Sequence, residues 1–557
     1  MRPFPLDLSS LSVGAEGVRN FLWPMSISEV KEFRDNLVRS LVDVTNKALS
    51  DGVRGAPELM AFQLYYFADL VTIYRAELLS ARLEPLGWVV LPGESMPFWD
   101  SLLAGRSPEP PPILDQLRAG FPPKRFSHYL TKYRHKISKL VSKPAPKAAQ
   151  APRKTNSRDY LSTVSVPSKR IRHGRVNRQI IEQGVVATRR ADIMSIMAAQ
   201  EDRSVVLAEH RLWFRPVRGV APAVMEPQLR SKVLQAVSGV FEQAGQPLPG
   251  FVADYAAGVL DQGTALCGVH LDRLRRSRLV PGRLWTGTCG NVWDRLLRIA
   301  VKERGGEVTG FSHSGGSEYR KDPYLAHKEY AAADRYVTYS RELVDCNTAQ
   351  VDESLLYGPS KPEVVAPVLP SCKVRPPEQG RVDPAKVKSV MYVDNFIYGL
   401  DRMHMGPLIP DTVAVDWTAR LLTQIREWGY EVIIKPHPGS RVPIHPEVVR
   451  LSGATVVTEP FEQALDRADL LLFDSQSSTT FNSALKTVKP MVYVDLGQWE
   501  WFPEALVAFT RRCPTVFAGP GEDNRLHVDW EALRAALVEA PARAGDTTFY
   551  NDFIRCY

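Results

Sequence analysis

Cysteine is sparse and unpaired in this 557-residue sequence: Cys267, Cys289, Cys346, Cys372, Cys513 and Cys556 are scattered, with no C-x-x-C pair. Such spacing offers neither a zinc ribbon nor a disulfide framework, and it fits a reducing compartment. No stretch approaches the roughly 18 consecutive apolar residues that cross a bilayer. The first residues lack the basic start and long apolar core of a signal peptide. The expectation is a cytoplasmic protein whose contact with membrane, if it has any, is peripheral and at the inner face. No H-E-x-x-H and no metal-spaced Cys/His cluster occurs, so no metal site is expected. Internal repeats are absent.

What is present is an ordinary globular composition, 44% hydrophobic and 24% charged. A chain of 557 residues exceeds one compact core, so two or three domains are expected. The formal net charge is +8, and much of the excess lies in 124–190. A basic stretch can meet an anionic membrane, nucleic acid or an acidic substrate, and a solvated linker fits equally. No nucleic-acid recognition module accompanies it, so no nucleic-acid partner is expected.

The spacing of Val30, Phe33, Leu37 and Leu41 predicts a helix, and 59–83 gives a second, more apolar one. Gly87-Trp-Val-Val-Leu reads as a strand. The Pro/Ala/Lys stretch near 141–158 cannot build a core and reads as a linker. After residue 180, strands at 204–208, 283–286, 307–312 and 335–339 alternate with helices, including one with Val292, Leu296 and Ala300 on one face. Prolines are dense from 357 to 384, which predicts an interdomain linker. A second series follows, with strands at 387–393, 432–434, 455–457, 470–473 and 491–494. Its helix at 411–428 is closed by Gly429.

Two strand ends carry chemistry. Glu431-Val-Ile-Ile-Lys-Pro-His-Pro438 is an apolar run that stops at Lys435 and His437. Pro436 and Pro438 remove donors and stiffen the loop. Leu470-Leu-Leu-Phe-Asp-Ser-Gln-Ser-Ser478 stops at Asp474, Ser477 and Ser478, with Thr479 next. Apolar runs of this length read as buried parallel strands, and ligands bind beyond the carboxyl ends of such strands. A cation, an imidazole and paired hydroxyls gathered on that edge suit a phosphate. The plainer readings are a proline-rich turn and a serine helix cap. Glu459, after the 455–457 strand, is the candidate acceptor for ribose hydroxyls; a helix-start carboxylate is the alternative. Gly287-Thr-Cys-Gly290 lacks Gly-Lys-Ser/Thr and is no P-loop.

Taken together, Lys435-Pro-His-Pro, Ala468-Asp-Leu-Leu-Leu-Phe-Asp-Ser-Gln-Ser-Ser and Lys489-Pro-Met-Val-Tyr-Val-Asp resemble the C-terminal half of GT-B bacterial glycosyltransferases. The likeness is greatest to those that build capsule, lipopolysaccharide and teichoic-acid polymers, and it covers roughly 387–500. In relatives that use CMP-sugars, an HP motif and an SS motif hold the nucleotide phosphate. By position, His437 matches the HP histidine, and Ser477 and Ser478 match the SS pair. CDP-glycerol polymerases resemble this stretch too, but commonly carry Asp-Tyr-Ser-Ser and an acidic residue after Phe. Here Gln476 precedes the serines and Asn482 follows Phe481. No Asp-x-Asp motif of metal-dependent GT-A enzymes occurs.

The resemblance implies an α/β fold of GT-B type: two Rossmann-like domains facing a cleft, with an N-terminal helical region. The expected parts are a helical region at 1–83, an acceptor domain at 84–356, a linker at 357–384, a nucleotide-sugar domain at 385–525 and a helical tail at 526–557. The implied activity is transfer of Kdo or sialic acid from a CMP-linked donor to a surface glycan or glycolipid, with no other cofactor. A CDP-glycerol, polyol-phosphate or UDP-sugar transferase of the same fold is the alternative, and a non-catalytic assembly protein is another. On the acceptor side, His313 and Glu318 follow one strand end and are the candidates for base or nucleophile.

Overall fold

The computed structural model describes residues 2–5, 25–91, 101–102, 104–121, 171–173, 184–188, 192–287, 289–312, 318–321, 323–353, 361–367, 386–394, 409, 411–437, 444–475, 479–521 and 525–554. The linker expected near 141–158 lies outside these residues.

The chain opens with strand β1 (Arg2–Pro5), which pairs in parallel with β2 (Trp88–Leu91). The strand expected at 87–91 is therefore real, but it belongs to this small ribbon and not to a domain sheet. Between the two strands lies a helical hairpin, Ile27–Ser50 and Ala56–Leu83. Ser26 opens the first helix with a capping box: the Glu29 amide donates to Ser26 Oγ (3.0 Å) and the Ser26 amide donates to Glu29 Oε2 (2.8 Å).

The second helix is buried on nearly every face, which a two-helix hairpin cannot achieve alone. Its cover comes from the first helix and from helices Gly250–Arg276 and Val292–Glu303 far along the chain, while Pro227–Gln243 packs on the first helix. Phe33 stacks on Tyr74 at 3.8 Å and meets Phe241 edge-on at 4.8 Å. Gly263 lies against Phe62 so closely that an added Cβ would stand 2.2 Å from the ring. The N-terminal helices are thus one layer with helices of the first α/β unit.

That unit is built on β3 (Ile171–His173), β4 (Val185–Ala187), β5 (Val205–Leu207), β6 (Arg283–Thr286), β7 (Glu307–Phe311), β9 (Arg335–Val337) and β10 (Glu363–Val365), with the short β8 (Arg320–Lys321) outside the sheet. The order is β10-β9-β7-β6-β4-β5-β3, all parallel. Part of the stretch expected to be linker, 363–365, is therefore an edge strand.

The second sheet contains β11 (Ser389–Val393), β12 (Glu431–Lys435), β13 (Thr455–Val456), β14 (Leu470–Phe473), β15 (Met491–Asp495), β17 (Thr515–Pro520) and β18 (Leu526–Val528); β16 (Glu500–Trp501) stands apart. Its order is β13-β12-β11-β14-β15-β17-β18, parallel except for the last, antiparallel pair. Counted from β11, the parallel strands run 3-2-1-4-5-6, the order of dinucleotide-binding sheets. Every residue of β11 and β14 is buried, as continuous apolar strands covered on both faces require. Gly429, at φ +92, ends the Asp411–Glu427 helix where expected.

The two units touch through β8 and β16, which pair antiparallel. The Phe502 amide donates to Tyr319 O (3.1 Å), and the Tyr319 and Trp501 rings stack at 5.0 Å. The C-terminal tail is more than a helix: β18 precedes the Trp530–Arg543 helix, and the last turn, Tyr550–Ile554, packs on the Arg341–Glu353 helix of the first unit.

Candidate functional site

The strand order creates one topological switch point in the second sheet, where β11 runs between β12 and β14. Val393, the last residue of β11, pairs with Lys435 on one side and with Phe473 on the other. The two motifs therefore end level, one on each side of β11. Neighbouring strands lie about 4.8 Å apart, so both motifs open onto one short edge. The Asp394 amide donates to Lys435 O (3.0 Å) and locks that register past the end of β11.

Lys435 is buried, and its Nζ donates to Pro436 O at 2.8 Å. Burial lowers its pKa, while Glu459, Glu462 and Asp394 act in the opposite direction. His437 is half-buried; burial first, and the Lys435 charge second, lower its pKa. At neutral pH its imidazole is therefore neutral and offers one N–H donor. Glu459 forms an ion pair with Arg467 and remains within electrostatic reach of Lys435. Of the serine motif, Ser477 and Ser478 lie outside the described residues, and Thr479 opens the Thr479–Leu485 helix. Phe481 anchors that helix, its ring meeting Phe473 edge-on at 5.2 Å.

One residue of this edge has a distinctive environment. Asp474 is buried, and its Oδ2 accepts from Tyr392 Oη (2.7 Å) and Trp417 Nε1 (3.1 Å). Its Oδ1 is buried without a hydrogen-bond partner. Burial pushes the carboxyl up to about 6, the Tyr392 and Trp417 bonds offsetting part of the rise.

On the first unit, His313 lies outside the described residues. Glu318 is enclosed rather than open to a substrate: Tyr336 Oη donates to it at 2.6 Å and the Thr338 hydroxyl donates to its other oxygen. Burial raises its pKa, with the Ser312, Thr338 and Tyr336 hydroxyls working against that rise. With both oxygens accepting, Glu318 joins the ends of β7 and β9 from within the fold. The 287–290 turn is likewise used internally: the Cys289 amide donates to Glu329 (3.3 Å), and Cys289 O accepts from Arg295 Nε (3.1 Å).

A cluster not anticipated from the sequence occupies the first sheet's own switch point, between β4 and β6. Asp294 Oδ1 accepts from the Thr188 hydroxyl (2.6 Å) and His210 Nε2 (2.8 Å), and Oδ2 accepts from Asn291 Nδ2 (2.6 Å). Burial raises the Asp294 carboxyl, but His210, Thr188 and Asn291 more than reverse this and hold it below its ordinary value. The Asn291 cap, three residues before Asp294, is the part of this cluster with a local sequence signal. Among the described residues, no group of three or more His, Cys, Asp or Glu is arranged to hold a metal, and no helix is long and apolar enough to cross a membrane.

No protein-family profile matches the chain, and no curated protein matches it. Among solved structures, UDP-N-acetylglucosamine 2-epimerase from Rickettsia bellii aligns at 12% identity and TM-score 0.29, covering 66% of this chain and 94% of that one. Arabidopsis thaliana UGT89C1 aligns at 14% identity and TM-score 0.30, covering 67% and 85%. At such values the fold rests on the chain's own topology. Two parallel-sheet α/β units, the second in 3-2-1-4-5-6 order, make this an α/β protein of the GT-B class.

Proposed function

We propose that the chain is a glycosyltransferase whose second unit binds a nucleotide-activated sugar. The observation that carries this reading is the level ending of Lys435-Pro-His437 and Asp474-Ser475 on either side of β11, at the switch point of a nucleotide-type sheet. Lys435 supplies a fixed charge and His437 a fixed N–H donor toward the phosphate, and Ser477 and Ser478 add hydroxyl donors in the role their motif implies. Such preoriented donors stabilise the charge that develops on a departing phosphate. Glu459 accepts from a ribose hydroxyl. The resemblance of the two motifs to CMP-sugar users favours a CMP-linked donor, Kdo or sialic acid, and a surface glycan as acceptor.

Calorimetric titration of CMP, CDP and UDP, paired with hydrolysis of the corresponding sugar or glycerol donors, tests this reading. CMP is expected to bind best, and His437→Ala is expected to weaken it at least tenfold. Preference for CDP with release from CDP-glycerol moves the chain to the polyol-phosphate class. Binding of none of the three removes the transferase reading and leaves a non-catalytic protein of the same fold.

A further inference from the structure

We propose that a groove on the outside of the second unit is a second binding site, for an acidic oligosaccharide: a chain of sugars that carries carboxylates. The groove has a volume of about 500 Å³, within the range of small-ligand sites. Asp416, Arg420, Gln424 and Glu427 line it from the Asp411–Glu427 helix, and Arg525 and Trp530 form its other side. Steps of four, four and three residues put the four helix positions on one face. They extend along the helix for about 16 Å, at about 1.5 Å per residue. So elongated a groove suits a chain better than one compact ring system. None of its residues belongs to the Lys-Pro-His or Asp-Ser motif. The same helix turns Trp417 inward to Asp474, and the groove lies on its outer face.

The charge in the groove is fixed in place by the fold. Asp416 is 2% exposed, and each of its oxygens takes a different arginine: Arg525 Nη2 donates to Oδ1 at 2.7 Å and Arg420 Nε to Oδ2 at 3.0 Å. Arg420 Nη2 also donates to Leu526 O at 2.7 Å. Two guanidiniums thus share one carboxylate, which leaves one positive charge in excess. Both remain accessible, Arg420 at 29% and Arg525 at 19% of the side chain. A guanidinium already held in plane loses little freedom when it meets a further carboxylate. Trp530 supplies the apolar wall, its ring 6.3 Å from Trp417, nearly parallel, and 6.3 Å from Trp428, edge-on. An indole offers a flat apolar face together with one N–H donor, which matches a sugar ring with a C–H face and hydroxyls at its rim. Half-buried Gln424 and exposed Glu427 add an amide and a carboxylate for further hydroxyls. Glu427 stands about 10 Å along the helix from Arg420, so the excess positive charge is concentrated at the arginine end. A carboxylate, an apolar ring face and a row of hydroxyls are the parts of an acidic sugar chain. The groove's own chemistry sets that class; that the ligand is the polymer this chain extends rests on the transferase reading above.

The test is calorimetric titration of the full chain with a sialic acid tetramer, a galacturonic acid tetramer, maltotetraose and CMP, for the wild type and Gln424→Trp. The substitution fills the groove and leaves the arginine pair intact. At least one acidic tetramer is expected to bind the wild type more tightly than maltotetraose does, with an affinity that falls as salt rises. Gln424→Trp is expected to weaken that binding about tenfold and to leave CMP affinity within about twofold. Arg420→Gln is the second variant, and it serves alone if Gln424→Trp does not fold. It keeps an N–H donor for Asp416 and removes the charge, so it should weaken the acidic tetramer about tenfold and maltotetraose by no more than about twofold. If neither acidic tetramer binds the wild type, or if one binds both variants as well as the wild type, the proposal is overturned. A second CMP site that Gln424→Trp abolishes makes the groove a nucleotide site and overturns it as well. Tetramer binding of the expected kind without CMP, CDP or UDP binding removes the transferase reading and leaves the acidic-glycan site. CMP binding without tetramer binding removes this inference alone.

Discussion

The two sheets have the same kind of switch point and treat it in opposite ways. In the first, between β4 and β6, the buried carboxylate of Asp294 has its own donors: Thr188, His210 and Asn291 occupy both oxygens. In the second, between β12 and β14, the buried carboxyl of Asp474 has donors on one oxygen and none on the other, with Lys435 and His437 across β11. A satisfied polar cluster rigidifies a fold, whereas an unsatisfied buried group is costly to it. On the function proposed above, the first crevice serves construction and the second receives the ligand.

The largest expected effect tests the first half of that contrast. Asp294→Ala strands His210, Thr188 and Asn291 in the interior and is expected to cost about 3–5 kcal/mol in urea unfolding. CMP affinity of the folded fraction should stay within about twofold, since 1.4 kcal/mol corresponds to tenfold. A variant that keeps its stability but loses CMP binding would break the comparison.

Acid should separate the two aspartates by sign. Asp294 is held below its ordinary value, so its stabilisation is present above about pH 4 and is lost as pH falls through its folded-state pKa. Asp474 is raised from 3.8 to about 6, so its contribution is fully present below about pH 4 and is lost as pH rises through 6. That displacement corresponds to about 3 kcal/mol. Thermal unfolding from pH 2 to 7 should show the cost of Asp294→Asn growing only up to about pH 4 and staying level from pH 4 to 7. Asp474→Asn should instead gain on the wild type over the same range. Parallel curves would mean that the two crevices are electrostatically alike.

Lys435→Met sharpens the second half. The change keeps the buried stem packed and removes a charge that burial already disfavours. CMP affinity is expected to drop about tenfold, roughly 1.4 kcal/mol, with melting temperature unchanged or slightly raised.

The second crevice was more legible in the sequence than the first, for a physical reason. Val432–Ile434, Leu470–Phe473 and Met491–Val494 are continuous apolar runs because their strands are buried on both faces, and each ends at polar residues in its own segment. The HP and SS motifs are local, so their strand ends could be read without knowing which strands are neighbours. The first crevice is assembled over distance: His210 and Thr188 lie 84 and 106 residues before Asp294. Its central strand β4 is three residues, Val185–Ala187, too short for periodicity to register. The same limit hid the merger of the N-terminal hairpin with helices 227–243 and 250–276. An all-round apolar helix says that it is covered but not by what. A carboxylate after a strand looks the same in sequence whether it faces solvent or, as with Glu318, Tyr336 and Thr338.

The smallest expected effect concerns how the two crevices are held relative to one another. β8 and β16 join the units by a two-residue antiparallel pairing, flanked by the Lys321–Glu500 ion pair at 2.8 Å and the Tyr319–Trp501 stack. The ion pair is exposed, with 34% and 63% of the two side chains accessible, so screening and side-chain entropy consume most of its attraction. Trp501 is buried among Tyr319, Tyr493, Phe509 and Phe549, where apolar area and ring packing act without screening. Glu500→Ala is therefore expected to cost no more than about 0.5 kcal/mol. That cost should disappear at about 1 M salt, where the Debye length is about 3 Å. Thermal unfolding at low and high salt measures both quantities. A loss well above 1 kcal/mol, or one that persists in high salt, would mean that charge rather than the aromatic stack fixes the two sheets together.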